Sequence, residues 1–168
     1  MTISLFAQPY DITATGFYFE TAEDYAQKAN ALRNAHGDPV EEFEIQFIDG
    51  EAIDAALARS IDLDQCNFAD FLERVARWDE FEKTQMIIAL GECGYDFDPT
   101  AAPSEYDIDI YQTETMRELA EQFVDEGCFG EMPEHLQSCI DFDAIARDLA
   151  VDYAEITIAG ERYIYACR

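Results

Sequence analysis

The stretch GCFGEMPEHLQSCIDFDAIARDL, residues 127–149, sets how the last third of the chain must fold. Gly127 closes a preceding helix, because glycine takes the left-handed conformation that helix C-termini favour, and Gly130 bends the chain again. Pro133 fixes φ at the start of a short helical run, EHLQSCI, and Asp141 or Asp143 can cap a further helix with Ile145 and Leu149 on one face. Two turns and two short helices therefore fit in the span. Read residue by residue, it is a connector whose Phe129, Leu136, Ile140, Phe142, Ile145 and Leu149 fill a core.

Outward from this stretch, the pattern alternates between strand and helix. On the C-terminal side, AEITIAGERYIYACR reads as a hairpin around Ala159-Gly160. On the N-terminal side, Thr115 and Glu118 form a capping-box signature for a helix burying Met116, Leu119, Ala120 and Phe123. Before it, EYDIDIY alternates Glu105, Asp107 and Asp109 with Tyr106, Ile108 and Ile110, the period of a strand. Residues 62–103 show helical period through Phe68, Phe71, Leu72 and Val75, then Phe81, Ile87, Ile88 and Leu90. Asp79 marks the turn between these two helices, and Gly91, Gly94, Pro99 and Pro103 break the chain after them. At the front, strands are expected over 3–7 and 17–19, a helix from Ala22 to about Asn34 capped by Thr21 and burying Tyr25, Ala29 and Leu32, a strand alternating Glu42, Glu44 and Gln46 with Phe43, Ile45 and Phe47, and a helix over 51–59. The fold class is α+β: an elongated chain of three small segments with an acidic surface, α/β over 1–61, helical over 62–103 and α/β over 104–168. Segments of this size are marginal alone and are expected to pack end to end.

The net charge is −27, yet half the residues are apolar, enough to bury a core. The three segments carry −8, −7 and −12, so the charge is no acidic tail, and every segment must wear carboxylates. Such a protein is repelled by nucleic acid and anionic membranes and steered toward basic grooves, so a basic protein is the expected partner, with neither direct nucleic-acid nor membrane binding. Five cysteines without a CxxC pair, in mainly apolar surroundings, fit a reduced, cytoplasmic chain, and neither a leader nor a long apolar run is visible.

Catalytic chemistry has little to work with. No Ser-His-Asp or Cys-His arrangement, GxSxG or phosphate-cradling loop can be placed, and the histidines are His36 and His135. The calcium-loop spacing of Asp62, Asp64 and Glu73 fails at Cys66 and Asn67, and that of Asp107, Asp109 and Glu118 fails at Tyr111 and Gln112. His135 and Cys139 share a helical face but supply only two ligands, so a packed Cys139 is expected. Neither an enzyme nor a metal or cofactor is expected. Carboxylates remain, repeated on wet faces. Along a strand alternate acids lie about 6.6–6.8 Å apart, and i, i+4 pairs such as Glu114 with Glu118 or Glu121 with Asp125 lie about 6 Å apart along a helix. Both are close to twice the ~3.4 Å rise per phosphate of one DNA strand.

Taken together, Gly127, Phe129, Gly130, Glu131, Met132, Pro133, Leu136, Gln137, Ile140, Asp141, Phe142, Ala144, Arg147, Asp148 and Leu149 resemble the pattern of the ArdA family of antirestriction proteins from plasmids and conjugative elements. The resemblance implies a homodimeric DNA mimic, elongated and curved, that occupies the DNA-binding groove of a Type I restriction-modification enzyme. It makes Phe129 to Phe142 the antirestriction motif, near the dimer interface. The acids expected to stand in for phosphates are Glu42 and Glu44 in the first segment; Asp70, Glu73, Asp79, Glu80 and Glu82 in the second; and Asp107, Asp109, Glu114, Glu118, Glu121 and Asp125 in the third. Phe17 to Phe19 depart from the tryptophan that relatives often carry after the early glycine. An acidic inhibitor of another nucleic-acid machine, such as a CRISPR complex or nucleoid protein, and a non-inhibitory acidic scaffold are the alternatives.

Overall fold

The computed structural model describes residues 2–130 and 133–168, the side chains of Glu134 and Gln137 excepted. The chain is α+β, with two three-stranded antiparallel sheets and helices set against them.

β1 (Ser4–Pro9) is the middle strand of the first sheet, between β2 (Phe17–Phe19) and β3 (Phe43–Asp49). Register places Leu5 opposite Phe19 and Phe47, and Ala7 opposite Phe17 and Ile45. Period two thus sends Leu5, Ala7, Phe19, Phe43 and Ile45 to the core and Glu44 to solvent. α1 (Ala22–Ala31) starts where the Thr21 hydroxyl accepts from the Asp24 N–H. It ends three residues earlier than its apolar pattern suggests, because Leu32 turns extended and Arg33 bridges to Pro39 around a turn at Gly37.

α2 (Ala52–Ser60), α3 (Phe68–Arg77) and α4 (Glu80–Gly91) complete the first unit, Met1–Tyr106. The helices of the middle segment share a core with the first sheet: the Phe68 ring lies 5.3 Å from Phe19 and 4.5 Å from Tyr25, and Phe71 lies 6.3 Å from Phe47. Asp79 does more than mark a turn. Its carboxylate accepts from the Glu82 N–H while Glu82 accepts from the Asp79 N–H, a full capping box. Met86, Ile87, Ile88 and Ala89 are buried, but Phe81, in the first turn of α4, is 58% exposed.

The second unit, Asp107–Arg168, contains β4 (Ile108–Tyr111), α5 (Met116–Asp125), α6 (Glu134–Gln137), α7 (Phe142–Leu149), β5 (Ala154–Ile158) and β6 (Glu161–Cys167), with β6 central in its sheet. Ala159 (φ 53°) and Gly160 (φ 95°) both adopt left-handed backbone, as a tight two-residue hairpin requires. The expected strand at EYDIDIY is shorter. Pro103–Glu105 form a 3-10 turn, the Glu105 carboxylate accepts from the Ala102 N–H, and Tyr106 is buried against Tyr95. Glu105, Asp107 and Asp109 therefore do not share one strand face. Leu119, Phe123 and Ile164 form the core cluster, flanked by Tyr111, Met116, Leu149 and Tyr153. Among the described residues no helix is long and apolar enough to cross a membrane.

Candidate interaction surface

The acidic side chains fall into two groups according to what their local structure asks of them. Glu42 precedes β3, Glu44 lies on its wet face, and both are exposed, as are Glu80 on α4, Asp107 before β4, Glu114 before α5 and Asp125 at its end. Others already serve the fold. Glu73 pairs with Arg77 at 2.9 Å and Glu121 with Arg117 at 3.0 Å, while Asp79 and Glu82 cap α4. Asp109, on β4, accepts from the Arg168 Nε at 2.7 Å. The Thr115 hydroxyl caps α5 through the Glu118 N–H, but the Glu118 carboxylate accepts from the Glu114 N–H at 2.9 Å, so the reciprocal half of the expected box closes one residue earlier. Asp70 is half-buried on α3. Exposed carboxylates thus occur in both units, on strand, helix and loop alike.

Bases are few, and in the second unit Arg117, Arg162 and Arg168 are engaged by carboxylates, while Arg147 is exposed in the last turn of α7. Arg117 binds Glu121 and, at 2.7 Å, Asp143, and these two hydrogen bonds hold its pKa above the ordinary guanidinium value. Hydrogen bonding to Asp109 does the same for Arg168. Arg162 pairs with Glu155 at 3.0 Å. Arg74 is a structural clamp in the first unit, donating from Nη2 to the Pro99 carbonyl and lying 5.9 Å from the centre of the Trp78 ring.

The motif stretch differs from the filled connector that its apolar residues suggest. Phe129 is 54% and Leu136 44% exposed, and Pro133 is exposed, while Ile140, Phe142, Ile145 and Leu149 are half-buried. The reason is the small core: Leu149 reaches the cluster, but Phe129 meets only its edge, 6.3 Å from Phe123. Gly127 (φ 74°) ends α5 and Gly130 (φ 92°) follows. Asp141, rather than Asp143, caps α7 by accepting from the Ala144 N–H at 3.0 Å, and the Arg117 guanidinium lies 5.9 Å from the Phe142 ring centre. Glu131 lies outside the described residues, and only the backbone of Gln137 is described.

The cysteines also depart from the apolar reading. Cys66, Cys128 and Cys139 are free and exposed, Cys139 because the residues around α6 contribute little to the core. Among the described residues no group of three or more His, Cys, Asp or Glu side chains is arranged to hold a metal ion.

The profile of the antirestriction protein (ArdA) family matches residues 11–163, nearly the whole chain. The chain belongs to the ArdA antirestriction family. The match extends well beyond residues 127–149 into both structural units. ArdA membership carries an antirestriction function and makes restriction enzymes the expected interaction partners. A search of curated proteins finds no match.

Sequence reasoning missed the buried ion pair altogether. Lys83 donates to Asp54 at 2.7 Å, and both are buried, at 8% and 3% exposure. The available signal was a lysine one turn ahead of the apolar run that starts at Met86 in α4.

Proposed function

We propose that this protein inhibits a Type I restriction-modification enzyme by occupying its DNA-binding groove, presenting carboxylates where duplex DNA presents phosphates. Membership of the ArdA family carries this reading. The charge of −27, with exposed acids in both units, supports it physically. Enzymes that bind DNA hold phosphates with lysine and arginine, and an acidic surface can satisfy those side chains without offering a base pair. Inhibition is by exclusion and uses no catalytic residue, no cofactor and no direct contact with nucleic acid. Glu42, Glu44, Glu80, Asp107, Glu114 and Asp125 are the carboxylates freest for the role. Glu73, Asp79, Glu82, Asp109, Glu118 and Glu121 contribute charge while also serving the fold, and Asp70 contributes its charge from a half-buried position on α3.

The working form in this reading is a homodimer joined near Phe129 to Phe142, where exposed Phe129 and Leu136 supply apolar surface that association would cover. Phe129→Asp is expected to shift the mass measured by light scattering toward the monomer. A wild-type monomer at micromolar concentration would remove this interface from the account.

The inhibitory reading is tested by displacing labelled duplex DNA from a purified Type I enzyme across a salt series. Displacement is expected to be strongest near 0.01 M salt, where charges act over about 30 Å, and to weaken by 0.15 M, where they act over about 8 Å. Absence of displacement at the lowest salt would refute it for that enzyme class. Displacement of DNA only from unrelated basic proteins in the same assay would move the target elsewhere.

A further inference from the structure

The first unit contains a cavity of about 670 Å³, bounded by the starts of α1 and α2, by α3 and by Lys83 of α4, whose interior the proposed function does not account for. That volume lies within the roughly 300–1,000 Å³ of small-ligand pockets. Its wall is a second face of α3. Phe68 and Phe71 are buried in the core, whereas Ala69, Leu72, Glu73 and Ala76 line the cavity at helical spacing. The two alanines leave the space open, and Leu72, with Ile3 and Ala22 from other elements, makes part of the lining apolar. The cavity is also built on the buried pair Asp54 and Lys83, residues with 3% and 8% exposure that are partnered to each other.

Its charge is one-sided. Lys83, the cation in the lining, is neutralised by Asp54 at 2.7 Å, and Glu73 is shared with Arg77. Glu20, Glu23, Glu51 and Asp70 also line it, and none of these four forms an ion pair among the described residues. An anionic or neutral polar ligand would leave four carboxylates repelling one another around the opening. A compact metal ion would satisfy the charge and waste the apolar wall. The chemistry that uses both is a chain of methylenes bearing two or more cationic ends, the stem lying on Leu72 and the alanines and the ends reaching the rim carboxylates.

We propose that this cavity binds an elongated organic polycation, ammonium or guanidinium groups joined by an aliphatic spine. Two sources share that chemistry: a free polyamine and the basic side chains of a partner protein. The proposal does not require the antirestriction mechanism, although Asp70 and Glu73 belong to both surfaces.

Calorimetry with three trivalent probes at about 0.15 M salt tests it: spermidine, a capped tri-lysine peptide, and hexaamminecobalt(III), which has the charge without the spine. Spermidine or the peptide is expected to bind at least about tenfold more tightly than the cobalt complex, about the worth of two buried methylenes. Tighter spermidine assigns the site to a free polyamine, and a tighter peptide assigns it to a partner's side chains. Two variants locate the binding. Glu20→Gln with Glu51→Gln removes rim charge, and Ala69→Trp fills the space without altering charge at an exposed helix position. Each is expected to weaken the preferred probe by about tenfold or more, with circular dichroism showing both folded. Asp148→Asn with Asp152→Asn, exposed in the second unit, is expected to leave that affinity unchanged. Equal binding of all three probes, an equal loss from the Asp148/Asp152 control, or no binding of either organic probe would overturn the proposal.

Discussion

The two units bury their residues in different ways. Met1–Tyr106 is built around rings: Phe19, Tyr25, Phe43 and Phe68 lie within 6 Å of a neighbour, and Phe71, Leu57, Met86 and Ile88 are almost wholly buried beside them. Asp107–Arg168 gathers Leu119, Phe123 and Ile164, with Ala120, Ile158, Tyr163, Tyr165 and Ala166 also buried, and α7 buries no residue fully. The first unit places one ion pair inside and wears Asp24–Lys28 and Glu73–Arg77 outside, whereas the described pairs of the second, on Arg117, Arg162 and Arg168, are all exposed. A chain of this charge can afford many exposed acids only where apolar burial outweighs their mutual repulsion. The larger core therefore accommodates a buried pair, while local pairs and caps serve both units.

Breaking the buried pair is the severest test of that difference. Lys83→Met is expected to cost about 3–5 kcal/mol in denaturant unfolding, because Asp54 would remain buried and unpaired. Adding Asp54→Leu should recover most of the loss, since two apolar side chains need no partner. Arg117→Met, at the surface of the second unit, should leave the midpoint close to wild type, because exposed pairs contribute little. A small effect of Lys83→Met would mean that water reaches the pair freely through the cavity.

The next largest effect concerns core size. Leu119→Ala removes a fully buried side chain and is expected to cost about 2–5 kcal/mol, enough to open a unit with so small a cluster. Hydrogen exchange should then accelerate across β4, α5 and β6 while α4 keeps its protection. Equal acceleration in α4 would show the two units to be one cooperative body.

A smaller effect belongs to the loops of the first unit. The Asp98 carboxylate accepts from the Thr100 hydroxyl and N–H, both at 2.7 Å, and these bonds hold its pKa below 3.8. Hydrogen bonds from Thr13 and Asn34 lower that of Asp11 likewise. A pKa depressed by folding contributes stability that is present above the unfolded value and lost as pH falls through the folded one. The melting temperature of Asp98→Asn should therefore lie below wild type at neutral pH and converge with it as the pH drops below 3.8. Parallel melting curves through that range would dissociate the carboxylate from the loop's stability.

Much of this was legible in the sequence where local chemistry and tertiary packing agree. The alternation at Phe43 to Phe47, the cap at Thr21 and the hairpin turn at Ala159-Gly160 each follow from a few adjacent residues. Where they compete, the reading failed. The pattern of EYDIDIY extends to Glu105, but Pro103 begins a turn whose hydrogen bonds take Glu105 and Tyr106 out of the strand. Phe81 fits the apolar pattern of α4 yet lies at the exposed first turn. The pair of Asp54 and Lys83 joins positions on two different helices, which no local spacing reveals. Of the surface, the sequence shows how much charge each segment carries; which acids are shared with arginines or caps depends on packing. In the motif stretch, the family resemblance was legible before the geometry, because the apolar residues look the same whether they fill a core or face a partner.

The central claim is that many carboxylates act together, and displacement of duplex DNA from a Type I enzyme measures this directly. Two neutralised variants of equal charge should be compared with wild type at low salt: Asp107→Asn with Asp109→Asn, clustered in the second unit, and Glu44→Gln with Glu114→Gln, one from each unit. Because each acid is expected to contribute a modest share, both variants should inhibit less well than wild type but neither should lose inhibition, and adding Glu80→Gln and Asp125→Asn to the dispersed pair should weaken it progressively. Abolition of displacement by any one of these substitutions, in a protein still folded by circular dichroism, would contradict distributed mimicry and point to a discrete binding site.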